Sequence, residues 1–405
     1  MSFQQGLSGL FAAARNLDTI GNNVANANTV GFKGGSAMFA DVYANSLGGG
    51  GQSAPGIGVA VTGIQQSFVQ GNISTTSNPL DMAINGGGFF RMDTNGTINY
   101  TRNGQFHLDK DGYIVNASSA KVTGYGVDAS GNIVISDAGP LKVSLAQLQA
   151  SASTTANIGL NLDAREPINA SAFDATDPST YNKATSMSVY DSLGNPHAFN
   201  TYYVKTSANT WNVYGAMDGT ALPASIGQLK FNSDGTLDTA ATTLPFSLSV
   251  PLTNGATTPF AFTLDFNGAT QFGSQFAVNT LQQDGFSSGQ ITGYSVGQDG
   301  VIKGNYSNGQ TRTLGQFLLA SFPNPTGLQP LGNNAWAETA ASGQPVAGAP
   351  GAGNLGVVQS GAVEESNVDL TQELVDMITA QRVYQANAQT IKTQDAVMNT
   401  LVNLR

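Results

Sequence analysis

The residues best suited to chemistry in this chain sit in three short patterns, and each pattern fails on its surroundings. Gly285-Phe286-Ser287-Ser288-Gly289 has the spacing of a nucleophile elbow, in which a sharp strand-to-helix turn presents a serine hydroxyl for attack. That device needs a helix after the serine and a histidine later in the chain. Here residues 290–296 read as strand, a turn follows at Asp299-Gly300, and both histidines, His107 and His197, precede the serine. A glycine-rich turn is the expectation. Gly351-Ala352-Gly353-Asn354-Leu355-Gly356 has dinucleotide-binding spacing, which works by aiming a helix N-terminus at a pyrophosphate. Pro345 and Pro350 precede it and no helical period follows, so a linker is expected. Asp109-Lys110-Asp111-Gly112 opens like a calcium loop, which requires glycine at its sixth position and glutamate at its twelfth. Ile114 and Ala120 stand there, so a hairpin turn is expected.

The chain has no cysteine, which excludes a thiol nucleophile, a disulfide framework and a cysteine-ligated zinc. Two histidines far apart in sequence give a transition-metal site no support. A pair of carboxylates brought together by folding, as glycoside hydrolases use, has no positive signal either. The expectation is a protein that is not an enzyme, with no catalytic residue, no cofactor and no metal.

Composition narrows the class further. Charged residues make up 10% of the 405, where about 25% is usual. A rod that is coiled coil throughout would be rich in Glu and Lys, and a nucleic-acid binder needs clustered Lys and Arg to displace phosphate counterions. The net charge of −10 fits neither. Charge-driven disorder is excluded by the same scarcity. No stretch approaches 18 consecutive apolar residues, so no membrane insertion is expected. Residues 1–14 carry no positive charge and are interrupted by Gly6, Ser8 and Gly9, unlike a cleavable signal peptide.

What must position any functional surface is a pair of helical ends around a β-rich middle. From residue 2 to about 27, Phe3, Leu7, Leu10, Ala14, Leu17, Gly21 and Val24 recur at alternating steps of four and three, a heptad seam. Ser2 and Gln5 form a possible capping box. The C-terminal end repeats the period through Leu370, Leu374, Met377, Gln381, Tyr384, Ala388, Ile391, Asp395, Met398 and Val402, with Ser366 and Asp369 as start signals. Acidic residues gather at its front and basic ones later, as the helix dipole favours. Gly6, Gly9 and Gly21 each cost the N-terminal helix about 1 kcal/mol relative to alanine, so it needs a partner surface. The C-terminal helix of the same chain offers one; copies of the chain offer another. Between the ends, Asn95-Gly96, Asn103-Gly104, Asp111-Gly112, Ser130-Gly131, Asp234-Gly235, Asn254-Gly255, Asn267-Gly268, Asp299-Gly300 and Asn308-Gly309 predict hairpin turns, and antiparallel strands from about 73 to 322. Residues 46–58 and 340–356 read as linkers, with softer breaks near 147–155 and 282–290.

Three segments also carry a resemblance. Asn22-Asn23-Val24-Ala25-Asn26-Ala27-Asn28-Thr29-Val30-Gly31-Phe32-Lys33 is similar to the N-terminal signature of the bacterial flagellar rod and hook axial proteins. Asn78-Pro79-Leu80-Asp81-Met82-Ala83-Ile84 with Gly88-Phe89-Phe90 resembles their inner-domain motif. Glu365-Ser366-Asn367-Val368-Asp369-Leu370 and Tyr384-Gln385-Ala386-Asn387 resemble their C-terminal one. Asn22, Asn23, Asn26, Thr29, Gly31 and Phe32 are the residues taken as the family motif. A length near 400 with a large central insertion resembles the hook members rather than the shorter distal rod protein, which stands as the alternative. A secreted β-rich adhesin is the alternative from another class, and it predicts a C-terminal strand ending in an aromatic residue.

The resemblance implies a mainly β fold with α-helical termini that pair as a coiled-coil-like core domain (1–30 and 366–405). It implies extended connecting segments at 31–72 and 340–365, an inner β-domain at 73–145 and 285–339, and an outer β insertion at 146–284. It also implies a self-assembling hollow helical tube, an extracellular flexible joint between motor and filament, exported by the flagellar type III apparatus without a cleavable signal. The implied partners are copies of itself, the distal rod protein, hook–filament junction proteins, a hook cap and a hook-length ruler. Phe3, Leu7, Leu10, Leu17, Val24, Leu370, Leu374, Met377, Tyr384, Ile391, Met398 and Val402 would form the assembly seam. An outer surface of small polar groups would make wet contacts that can slide as the tube bends.

Overall fold

A computed structural model describes residues 2–42, 56, 58–128, 130–144 and 146–403. Of the glycine-rich linker expected over 46–58, only residues 56 and 58 are among them. The expected class is borne out: two terminal helices pack together around a strand-rich middle. The N-terminal helix, α1, spans Ser2–Ala25 and the C-terminal helix, α2, spans Leu370–Asn403. Helix α2 starts where the sequence signal placed it, because the Asp369 carboxylate accepts the backbone N–H groups of Thr371 at 2.8 Å and Gln372 at 3.2 Å.

The chain divides into two compact units. The first comprises residues 1–145, 293–304 and 311–405; the second comprises 146–292 and 305–310. In the first unit an antiparallel hairpin, β1 (Gly35–Val42) against β2 (Gly58–Gln66), lies beside α1, where the sequence suggested only an extended connection. Two short strands follow, β3 (Ile73–Thr75) and β4 (Met82–Asn85). They pair with chain returning from the far end: β3 with Ala362–Glu364, and β4 with Val357–Ser360. The rest is a 13-stranded sheet running from Ile291–Val296 through Phe89–Thr94 to Gln329–Gly332. Phe89, Tyr100, Phe322 and Trp336 pack into its core, with Phe68 meeting Phe89 and Trp336 edge-on at 5.4 Å.

The linker expected at 340–356 is not one. Val346–Gly348 pairs with Leu319–Ser321, Leu355 is buried, and the glycine run closes a turn in which Gly351 N–H donates to Gly356 O. That turn has no helix after it and so no N-terminus for a pyrophosphate. The supposed calcium loop is a turn in which Asp109 accepts the N–H groups of Asp111 and Tyr113. Among the described residues no group of three His, Cys, Asp or Glu side chains is placed to hold a metal, and no helix is long and apolar enough to cross a membrane.

In the second unit a four-stranded sheet (Phe246–Val250, Phe260–Asp265, Thr155–Asn161, Ala277–Gln283) and a five-stranded sheet built on Lys183–Tyr190, Pro196–Ser207 and Thr210–Met217 share one core. Alternation supplies that core: in Phe246–Val250 every second side chain is buried. Trp211 is sealed inside and its indole N–H donates to Gln271 Oε1 at 2.7 Å. The antiparallel expectation fails where Thr155–Asn161 runs parallel to Phe260–Asp265, and again at the Asn161–Thr270 bridge. Most of the turn dipeptides do hold glycine at positive φ, as at Gly96 and Gly235, but Asn103-Gly104 makes no hairpin. Gly104 is instead a point of close approach, since a Cβ there would overlap the carbonyl of Met82. Gly285–Gly289 forms extended contacts with residues 148–153, through Ser151–Phe286 and Leu148–Gly289 bridges, and presents no nucleophile elbow.

Candidate functional site

The most heavily engineered place in the first unit is the junction where the segment after α1, the start of the β-body and the segment before α2 meet. At its centre is Glu364, fully buried. One carboxylate oxygen receives Lys33 Nζ at 2.6 Å and the Gly71 N–H at 2.9 Å; the other receives Arg102 Nη1 at 3.1 Å. Lys33 also donates to the Val69 carbonyl at 2.8 Å, and Arg102 Nη2 to the Gly86 carbonyl at 2.9 Å. Burial pulls both cations below their ordinary pKa values, and the Glu364 charge opposes that pull. The backbone joins in, with Gly31 N–H donating to Glu364 O at 2.7 Å. One acidic side chain thus ties together three stretches far apart in sequence.

Amides extend the same knot. Asn23 exchanges two hydrogen bonds with Gly35, at 2.8 and 3.0 Å, and its amide also donates to Glu373 on α2 at 2.9 Å. Asn367 accepts the Gly34 N–H at 2.8 Å and donates to the carbonyls of Ser67 and Val69. Gly31 has φ +71°, and a Cβ there would stand 2.6 Å from the Asn103 nitrogen. Asn26 closes α1 by donating to the Asn22 carbonyl at 3.0 Å, and Thr29 Oγ1 donates to Asn26 Oδ1 at 3.2 Å. Phe32 is half-buried beside them.

The two helices run antiparallel. Gly6 and Gly9 face Ile391 and Asn387 so closely that a Cβ on Gly6 would lie 3.2 Å from the Ile391 side chain. At the other end Asn23 reaches Glu373. The face α1 turns inward is therefore built mostly of small residues, with Gly6, Ala12, Ala13, Thr19 and Asn23 buried and Ile20 the one large apolar side chain buried among them. This corrects the heptad reading for a single chain. Phe3 (50%) and Leu7 (37%) are exposed, and Leu10, Leu17 and Val24 are half-buried. On α2, Met377 and Ile391 are half-buried, while Leu370, Leu374, Tyr384 and Met398 are exposed. Val402 lies in the helix, but its side chain is outside the described residues, as is that of Ser2. The physical reason is close approach: small side chains let two helices and a hairpin converge, and the bulky residues are left on the remaining faces. Between α1, α2, β1 and β2 lies a groove of about 490 Å³ lined by residues such as Gly9, Ala12, Phe39, Val59, Ala380 and Val383.

Four family models match the chain in order: the flagella basal body rod protein model over residues 3–33, the flagellar hook protein FlgE/F/G D1 domain over 83–159, the flagellar basal body protein FlaE D2 domain over 161–286, and the flagellar basal body rod FlgEFG protein C-terminal model over 359–404. The chain is 44% identical over 414 residues to the flagellar hook protein FlgE of Salmonella typhimurium strain LT2, with 100% of both chains covered. The corresponding Escherichia coli K12 protein is 43% identical over 413 residues, again with 100% of both covered. The chain belongs to the flagellar hook protein family. A more distant hook relative, from Borreliella burgdorferi, is 32% identical over 440 residues, covering 100% of this chain and 99% of the relative. The crystal structure of Helicobacter pylori flagellar hook protein FlgE2 matches with a TM-score of 0.54 over 72% of this chain and 99% of that one; at 14% identity it speaks to the fold alone.

The hook-family motif residues named from sequence gather at the junction: Asn23 and Gly31 inside it, Asn22, Asn26 and Thr29 at the helix end that leads to it. Sequence reasoning missed Lys33, Arg102 and Glu364 as partners. The available signal was their setting, since charged side chains are scarce here and Lys33 and Glu364 each sit in or beside a family segment.

Proposed function

We propose that this chain is the structural subunit of a bacterial flagellar hook. Copies assemble into a hollow helical tube that acts as a flexible universal joint and transmits motor torque to the filament. The observation that supports this best is the use of two faces on each terminal helix. Small residues serve the pairing of α1 with α2, and large apolar ones, Phe3, Leu7, Leu370, Leu374, Tyr384 and Met398, are left at the surface. Several exposed Phe, Leu and Met side chains on paired helices make an apolar surface of the kind that marks protein–protein contact. Sister subunits are the occupants proposed here, with the seam residues, including Leu10, Leu17, Val24, Met377, Ile391 and Val402, lining the tube's core. The junction around Glu364 holds the helices at a fixed angle to the β-body beside them, so force on one reaches the other.

In this reading the protein is not an enzyme and uses no cofactor. It leaves the cell through the flagellar type III apparatus and works outside it, between distal rod and hook–filament junction proteins, with a cap present during growth and a ruler setting length. Bending is carried by wet, sparsely charged contacts between neighbouring subunits. Electron microscopy after salt-induced polymerisation of the purified chain tests the reading. The full chain forms tubes; a variant lacking residues 1–28 and 367–405 forms none, and ordered tubes from that variant would refute it.

A further inference from the structure

The second unit contains a cluster of ionisable groups that assembly through the terminal helices does not use. His197, near the start of strand Pro196–Ser207, is 8% exposed and has its ring between two carboxylates. Nδ1 lies 2.6 Å from Asp218 Oδ2, and Nε2 lies 3.3 Å from Asp191 Oδ2. The carboxylates come from different turns. Asp191, fully buried, follows strand Lys183–Tyr190, and Asp218, half exposed, follows strand Thr210–Met217. A third connection, between Phe246–Val250 and Phe260–Asp265, contributes Asn254, whose amide donates to Asp191 Oδ2 at 2.6 Å.

Both carboxylates accept further hydrogen bonds. Asp191 also receives the N–H groups of Leu193 and Asn195, each at 2.9 Å, and the Asn195 amide at 3.0 Å. Asp218 receives the Ala198 N–H at 2.8 Å. The Phe260 ring, 6.4 Å away, is an uncharged neighbour of the imidazole. A neutral imidazole carries a proton on only one nitrogen. With a carboxylate at each nitrogen, a neutral ring would set a lone pair against a carboxylate oxygen, and the imidazolium alone satisfies both. We propose that His197 is a pH-dependent clasp that fastens three turns of the second unit, closed while the ring is charged and loosened when it loses its proton.

The charge balance supports the geometry. Burial works against the imidazolium, but Asp218 and Asp191 outweigh it and raise the ring above the ordinary histidine value of 6.5. Because the folded value is raised, the clasp is fully closed below 6.5 and is lost as pH climbs through the raised value. The transition therefore lies above 6.5.

The test follows the histidine ring protons of the full-length protein by NMR from about pH 5 to about pH 10, with His107→Gln to assign the two signals. The expected His197 midpoint lies above 6.5, and Asp218→Asn, at a half-exposed site, lowers it by about one pH unit. Amide exchange at Leu193, Asn195 and Ala198, corrected for the intrinsic effect of pH, speeds up above the midpoint. A wild-type midpoint at or below 6.5, a midpoint indifferent to Asp218→Asn, or exchange that does not change across it would each overturn the proposal.

Discussion

At the scale of single residues, Glu364 concentrates more consequence than any other side chain described above. Replacing it with glutamine leaves Lys33 and Arg102 buried without a counter-charge. Removing one partner of a buried ion pair costs about 3–5 kcal/mol, and urea unfolding of Glu364→Gln should report a loss of that size in the first unit. Gly31→Ala should also destabilise, by more than about 1 kcal/mol, because the φ of +71° and the nearby Asn103 backbone both refuse a Cβ. Tyr100 gives a pH-dependent readout. Its burial, and then the hydrogen bond to Glu338 at 3.0 Å, push the phenol up to about 12. The folded value is above the unfolded one of 10.0, so this group's contribution holds below 10 and disappears as pH rises through about 12. Phenolate absorbance should show one tyrosine titrating there, and Glu338→Gln should bring it down. Of the three, only Gly31 was marked in the sequence, as a residue of the family motif. A lone lysine, arginine or glutamate says nothing of its partner when that partner lies 331 or 262 residues away.

At the scale of elements, the sequence spoke clearly about kind and less clearly about facing. Regular apolar spacing announced both helices, and Asp369 gave the start of α2. Alternation and Asn-Gly or Asp-Gly turns announced the strands. What spacing alone misjudged was which stripe of α1 turns toward α2, because it ranks large apolar residues above glycine and alanine. Close helix packing reverses that ranking: Gly6 and Gly9 are valuable there for what they lack. The two faces can be told apart experimentally. Changing both Gly6 and Gly9 to leucine should force α1 from α2, seen as faster amide exchange along both helices. Leu374→Ser, on an exposed position, should shift monomer stability by no more than about 0.5 kcal/mol while raising the concentration needed for polymerisation. The 340–356 run was misjudged for a related reason. Ala, Gly and Pro look idle in isolation, yet small residues are what permit Val346–Gly348 and the turn at Gly351 to lie against neighbouring backbone.

At the scale of the whole molecule, the division of the chain follows where strands find partners. The second unit has its own core around Trp211 and needs nothing from the termini to be sealed. Limited proteolysis in dilute solution should trim α1 and α2 first and spare a fragment from about residue 73 to 363, the span in which strand pairing is dense. Early cuts inside 146–292 would contradict that order of stability. The order of the junction's residues along the chain also bears on how a molecule comes into being. Lys33 is made early and Arg102 soon after, but the carboxylate that neutralises them is number 364 of 405. A chain made from the amino end carries both cations unmatched until residue 364 is reached. Strands β3 and β4 wait equally long for their mates at 357–364. Closure of the first unit therefore waits for residues 357–364, which must come back across some 260–330 positions to meet partners laid down near the start.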